Sequence, residues 1–256
     1  MLSKLKTLAW LLQQPKGVGL IWNLFLRMTI YRNLENTMDE SVAWCTTKAV
    51  DTNSALKRMF PGISANPVDL SVSFPKEFIY AKDKFESTPY EMGGAGNMNL
   101  LFNICENIKA KYVLETGVAY GWSSLSILLS IKNIQDSLLI STDMPYPKMG
   151  NEDFVGIVIP DELKKHWRLF QESDLSGLPK AFKLVKQLDV VHYDSDKSYI
   201  GRLNSYPLLY NKLRKGGIFI SDDIQDNIAF KHFCEKLKIT PIVISFDDKY
   251  VGAFIK

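Results

Sequence analysis

Val113-Leu114-Glu115-Thr116-Gly117-Val118-Ala119-Tyr120-Gly121-Trp122-Ser123 is an apolar strand that runs into an acid, then a loop with two glycines, then the start of a helix. That order sets a carboxylate, exposed backbone N–H groups and the positive end of a helix at the carboxyl edge of a parallel strand. Open α/β sheets bind nucleotide-like ligands at that edge. A dinucleotide fingerprint needs three glycines, spaced G-x-G-x-x-G, so that the backbone can approach a pyrophosphate. Here the glycines lie four apart, no third follows, and Glu115 precedes them. A carboxylate at that point repels phosphate and suits a ligand with an ammonium group, which sets a nicotinamide dinucleotide aside.

Regular alternation surrounds this loop. Met98, Leu101, Ile104, Cys105 and Ile108 recur at helical spacing and predict a helix over 97–109. Strands over 112–115, 138–142, 167–171, 188–193 and 217–221 alternate with helices over 122–132, 161–165, 178–186, 202–213 and 227–237. The segments 241–245 and 250–255, joined by Phe246-Asp247-Asp248-Lys249, read as a hairpin. The expected fold is α/β: a doubly wound, mostly parallel seven-stranded sheet with a terminal antiparallel hairpin strand. Residues 1–90 read as a mainly helical N-terminal extension, with Pro61, Gly62, Pro67 and Pro75 marking a loop-rich link, and residues 91–256 as the ligand-binding domain.

A chain of 256 residues, 46% hydrophobic, can bury one sizeable core. A net charge of +3 with scattered Lys and Arg argues against nucleic acid as a partner. Cys45, Cys105 and Cys234 are odd in number and outside any C-x-x-C spacing, which fits buried or free thiols in a reducing cytoplasm. Residues 1–34 hold Lys4, Lys6, Lys16, Arg27 and Arg32 and no acid. Gln13-Gln14-Pro15 interrupts the first apolar run, unlike a signal peptide. Asn23 and Arg27 stop the second well short of the ~20 residues that span a bilayer. Two readings stay open: helices packing on the main domain or on a second copy in a homodimer, or an amphipathic segment on an anionic membrane surface.

Four stretches carry chemistry to the strand tips. Beside the Glu115–Ser123 loop, Gly93-Gly94-Ala95-Gly96-Asn97 forms a flexible backbone nest suited to a carboxylate. Leu138–Thr142 ends in Asp143, placed to accept hydrogen bonds from ribose hydroxyls. Together with a carboxylate for an ammonium group, these features suit S-adenosylmethionine. Val190–Tyr193 ends in Asp194-Ser195-Asp196-Lys197, and Gly217–Ser221 ends in Asp222-Asp223. Asp194, Asp222 and Asp223 repel one another unless a cation neutralises them, and all-oxygen ligation suits a hard divalent ion, Mg²⁺ first. Both Asp222 and Asp223 reach one ion only if the chain turns there. Coordination would acidify and orient a hydroxyl, and Lys197 or Asp196 could take its proton. His192 shares a strand face with Asp194 but lies deeper, in a core position. Tyr199, Tyr206 and Tyr210 fit packing of the following helix.

At these residues the chain resembles the class I S-adenosylmethionine-dependent methyltransferases over roughly 90–256, and among them the cation-dependent O-methyltransferases. The catechol O-methyltransferase type is similar at Glu115, Gly117, Gly121 and Ser123, and the resemblance implies cofactor contacts from Gly94, Glu115, Gly117, Ala119, Gly121, Ser123, Asp143, Ser173 and Asp194. It also implies a metal triad of Asp194, Asp222 and Asp223, with Lys197 as catalytic base. Asp at 223 rather than Asn, and Asp196 ahead of a Tyr, resemble instead the O-methyltransferases of antibiotic sugars, where Asp196 would be the base. The implied acceptor is a hydroxyl on a sugar or glycoconjugate, or on a small phenol. A metal-independent methyltransferase and a non-catalytic cofactor- or partner-binding module are the competing functions.

Overall fold

The computed structural model describes residues 2–62, 67–147 and 149–256, with side chains from residue 6 onward; the centre of the predicted link, 63–66, lies outside them. The extension is built from α1 (Leu2–Gln13), α2 (Gly17–Met28), α3 (Arg32–Glu35), α4 (Met38–Thr46), β1 (Ala49–Val50), α5 (Thr52–Met59), α6 (Leu70–Ser73) and α7 (Pro75–Glu86). Alternation then begins with α8 (Met98–Asn107), β2 (Tyr112–Thr116), α9 (Trp122–Ile131), β3 (Leu138–Thr142) and β4 (Trp167–Phe170). It continues through α10 (Asp174–Ala181), β5 (Leu188–Tyr193), α11 (Tyr199–Lys212), β6 (Leu213–Ser221) and α12 (Ala229–Leu237) to β7 (Ile242–Phe246) and β8 (Lys249–Ile255).

The strands form one sheet in the order β1-β7-β8-β6-β5-β2-β3-β4. All neighbours are parallel except β8, which runs antiparallel to both β6 and β7. The expected doubly wound sheet is therefore present, with eight strands rather than seven. The addition is β1, whose Ala49 and Val50 pair with Val243 and Ile244. Two residues are too few for an alternating pattern to register, and their pairing partner lies almost two hundred residues away.

Successive strand residues point to opposite faces, so a sheet covered on both sides needs continuous apolar runs. Val113, Leu139, Val190 and Ile218 pack on one side with α8 and α9. Leu114, Ile140, Val191 and Phe219 pack on the other with α10, α11 and α12. The extension shares this core: Ala55, Leu56 and Leu70 are buried in the first cluster, and Ser41 Oγ donates to Ile224 O at 2.9 Å.

Two helices start earlier than the apolar spacing indicates. The helix expected over 178–186 is α10, which runs from Asp174 with Ser173 at its N-cap and Pro179 inside it. Proline cannot donate to the carbonyl four residues back. That carbonyl, Leu175 O, instead accepts from Lys16 Nζ at 2.8 Å, so the extension is tied to α10 at the gap. Helix α11 starts at Tyr199 because Ser198 caps it, its hydroxyl accepting from Gly201 N at 3.0 Å.

Leu56→Ala should cost about 2–5 kcal/mol, the usual penalty for emptying a buried leucine site. Urea denaturation followed by far-UV circular dichroism is expected to show one transition at lower midpoint. Loss of an early, separate transition would mean that the extension folds by itself.

Candidate active site

The strand order reverses between β2 and β5, since β3 and β4 continue on one side of β2 and β6 on the other. Such a switch point opens a crevice at the carboxyl ends of the strands. A cavity of about 860 Å³ lies there, bounded by the Gly93–Asn97 loop, the Gly117–Ala119 loop, Asp143, Ser173 and the acids after β5 and β6. That volume suits a cofactor-sized ligand together with a second small molecule.

The glycine loop is shaped by close approach. Gly117 has φ +81°, and a Cβ there would come within 2.4 Å of Asp194 O. Hence β2 and β5 can meet tip to tip only with glycine at this position. Ala119 also takes a positive φ, +48°. Val118 N and Ala119 N both donate to Asp143 Oδ1, at 2.7 and 3.3 Å. Asp143 thus holds the loop in place while still lining the cavity. Burial pushes its pKa up, opposed by those two N–H donors.

Of the expected cofactor residues, Gly94, Gly117, Ala119, Ser123, Asp143, Ser173 and Asp194 line the cavity. Glu115 and Gly121 do not. Gly121 packs against Gly156 and Ile159 at the start of α9. Glu115, expected to face an ammonium group of the ligand, is fully buried beneath the loop. Its Oε2 accepts from Ser124 Oγ and from Ser141 Oγ, the latter at 3.0 Å. Its Oε1 lies 3.5 Å from His192 Nδ1, and His192 Nε2 lies 3.5 Å from Asp222 Oδ1. The group beside Glu115 Oε1 is therefore the His192 imidazole and not the cavity. Burial works against charge on His192, but Asp222 and Glu115 outweigh it and raise its pKa to about 10. A line Glu115–His192–Asp222 runs from under the glycine loop to the cavity wall.

Asp194, Asp222 and Asp223 all line the cavity, although among the described residues no three such side chains are gathered closely enough to hold a metal ion. The chain turns at Asp223, which sits in the left-handed region at φ 50° and ψ 40°, and both Asp222 and Asp223 reach the cavity. Lys197 Nζ lies 3.0 Å from Asp194 Oδ1 and donates a short hydrogen bond to Asp223 Oδ2. Lys249 Nζ is 3.3 Å from Asp223 Oδ1. Burial and the Asp222 charge raise Asp194 to about 6 despite Lys197 and His192. For Asp223, burial is outweighed by Lys197 and Lys249, which hold its carboxyl below the usual range. Lys197 is pushed above the ordinary lysine value, since Asp194 and Asp223 outweigh burial. Asp196 lies exposed in the same wall and accepts from Ser198 N at 3.1 Å.

Other contributors escaped the sequence reading. Arg202 is fully buried, and its guanidinium donates to Asp223 O at 2.7 Å and Asp222 O at 3.2 Å, which fixes the turn that presents both acids. Asp174 accepts from Thr142 Oγ1 and Ser195 Oγ, and burial raises it to about 6 against those donors. Lys16, at the N-cap of α2, and Leu20 and Asn23 within it also line the cavity. No spacing distinguishes Arg202 from the scattered surface basics. The three cysteines are buried and unpaired, as expected, and Tyr206 packs inside the second core cluster.

Residues 114–224 match the family model described as a methyltransferase domain. The match holds every strand-tip acid discussed above, from Glu115 to Asp223. Among solved structures, an O-methyltransferase from Bacillus cereus in complex with SAH is 13% identical and superposes with a TM-score of 0.54, covering 83% of this chain and 100% of that one. The SAH-bound methyltransferase PaMTH1 from Podospora anserina gives 13% identity and a TM-score of 0.52, covering 85% and 94%. At these identities the likeness is one of fold, the Rossmann-like methyltransferase fold. No curated protein matches the chain in sequence.

His192→Leu would leave Glu115 buried without a cation, which should destabilise the fold by about 3–5 kcal/mol. Because the folded-state pKa of His192, about 10, lies above its ordinary value, its contribution is full below about pH 6.5 and is lost as pH rises through about 10. Denaturation midpoints across pH 6–10 should therefore fall in the parent protein and change less in His192→Leu. Equal slopes would dismiss the charged imidazole.

Proposed function

We propose that this protein transfers the methyl group of S-adenosylmethionine to a hydroxyl oxygen, with help from a divalent cation. The observation that carries the reading is the convergence of Asp143, the Gly117–Ala119 loop and the Asp194/Asp222/Asp223 cluster on one cavity at the switch point. A methyltransferase domain over 114–224 and the SAH-bound fold relatives support the donor.

The residues divide the work by position. The glycine loop and Asp143 bound the part of the cavity where a nucleoside would sit, with Ser173 nearby at the N-cap of α10. The carboxylates after β5 and β6 would hold the acceptor. Asp194, Asp222 and Asp223 offer oxygen donors only, and Asp194 Oδ1 is a buried atom that makes no directed hydrogen bond despite its ion pair with Lys197. That donor chemistry fits Mg²⁺, although among the described residues no three such side chains are gathered closely enough to bind a metal as they stand. Bound there, a divalent ion would lower the pKa of the acceptor hydroxyl and orient its oxygen.

Transfer forms an oxygen–methyl bond, breaks the sulfonium–methyl bond and releases the hydroxyl proton. Lys197 holds its own proton between Asp194 and Asp223, so in this arrangement it supplies positive charge beside the developing alkoxide. Asp196, exposed in the same wall, is then the proton acceptor. The cavity mixes apolar walls such as Leu101, Leu178 and Trp122 with polar groups from Asn23 and Asn204. That lining suits a sugar or glycoconjugate hydroxyl first and a small phenol second.

Calorimetry should show S-adenosylhomocysteine binding, and Asp143→Ala should weaken it at least roughly tenfold through loss of loop support. Methyl transfer to a library of hydroxylated acceptors should vanish in EDTA and return with Mg²⁺. Asp196→Asn should lower kcat by about 10² or more without changing donor affinity. Absence of donor binding would overturn the reading; full turnover in EDTA would remove the cation and keep the transfer.

A further inference from the structure

Helix α2 presents two opposite faces, and only one belongs to the cavity. Lys16, Leu20 and Asn23 line the cavity wall. Val18, Trp22 and Phe25 repeat the same spacing two residues later, about 200° round the helix. They face solvent instead: Val18 is 75%, Trp22 57% and Phe25 50% exposed, and Met28 beside them is 65% exposed. The Trp22 and Phe25 rings stack on each other with centroids 5.3 Å apart. Ile30 and Leu12, near the two ends of the helix, are also exposed. A contiguous apolar surface of this kind marks an interaction site rather than ordinary scatter.

Charge identifies the partner. Residues 1–34 carry five Lys and Arg and no acid, while the rest of the chain carries twenty-six basic residues against twenty-eight acidic ones. All of the net positive charge of the protein therefore sits in the segment that bears the apolar row. Lys6 and Arg32 are exposed, Arg27, half-exposed, lies 3.6 Å from Glu35, and Lys16 lies on the cavity side, where it donates to Leu175 O. A Trp–Phe face within a basic, acid-free segment is the pattern of a helix that lies in the interface of an anionic bilayer. The twelve residues of α2 span about 18 Å, too short to cross a hydrocarbon core of roughly 30 Å. No helix among the described residues is long and apolar enough to cross a membrane.

We infer that the outer face of α2, with α1 beside it, docks the protein on an anionic lipid surface through Val18, Trp22, Phe25 and Met28. One helix diameter, about 10 Å, then separates the lipid from the cavity wall formed by Lys16, Leu20 and Asn23. The docking stands on the exposed apolar face of α2 and on the basic, acid-free composition of residues 1–34. Its use, offering the cavity to a hydroxyl carried by a membrane-borne acceptor, rests on the methyl-transfer reading above.

The test is co-sedimentation of the full chain with vesicles of phosphatidylcholine containing roughly 30% phosphatidylglycerol, against phosphatidylcholine alone, with light scattering of the lipid-free protein. Binding to the anionic vesicles only, weakened by salt and lowered at least about tenfold in Trp22→Ser/Phe25→Ser, is the expected result. Failure to sediment, or equal binding by the double variant, would overturn it. So would a solution dimer that the same two substitutions convert to monomer, because a second copy would then cover the face. S-adenosylhomocysteine binding, measured without vesicles, reports on the site separately: the double variant should retain it, and its absence from the parent would count against the transfer reading and leave the docking result intact.

Discussion

Like charges packed at the tips of two adjacent strands are the constraint on which the site depends. Asp194 closes β5, and Asp222 and Asp223 close β6, in a partly buried setting where uncompensated carboxylates are costly. The fold answers with cations from three directions. Lys197 lies against Asp194 and Asp223, Lys249 approaches Asp223 from the hairpin, and His192 meets Asp222 from below. Arg202 adds no charge pair but anchors the carbonyls of the turn. The cluster is thus a balanced electrostatic unit.

The same balance extends under the glycine loop. Glu115 and His192 are register partners on β2 and β5, and both are fully buried. Ser124 and Ser141 satisfy one oxygen of Glu115, and the imidazole stands beside the other. Asp143 ties the loop backbone to the tip of β3. Chemistry at the cavity wall therefore rests on a polar layer that a purely apolar sheet would lack, and the acids of three strands are mechanically linked through it.

The N-terminal extension adds a wall that the segment over 114–224 does not contain. Pro179 leaves Leu175 O without its helical partner, and Lys16 takes that carbonyl, bringing α2 across the cavity. A defect in one helix thereby positions another. Leu20 and Asn23 follow on the same side of the cavity, so the extension supplies part of its lining.

Much of this was legible from local pattern. Alternation of apolar strands with amphipathic helices is a short-range signal, and it identified the parallel sheet, the closing hairpin and the seven longer strands. Residue type at strand ends likewise pointed to Asp143, Asp194, Asp222 and Asp223, because strand tips in this topology face one crevice. A turn at Asp223 followed from the need for both acids to point the same way. Long-range pairing decided the rest. β1 is too short to show a period, Arg202 looks like any surface basic residue, and the direction in which Glu115 faces depends on a histidine nearly eighty residues away. Sequence period reports how a residue alternates, whereas burial and charge partners depend on which distant segments arrive beside it, and only the tertiary structure determines that.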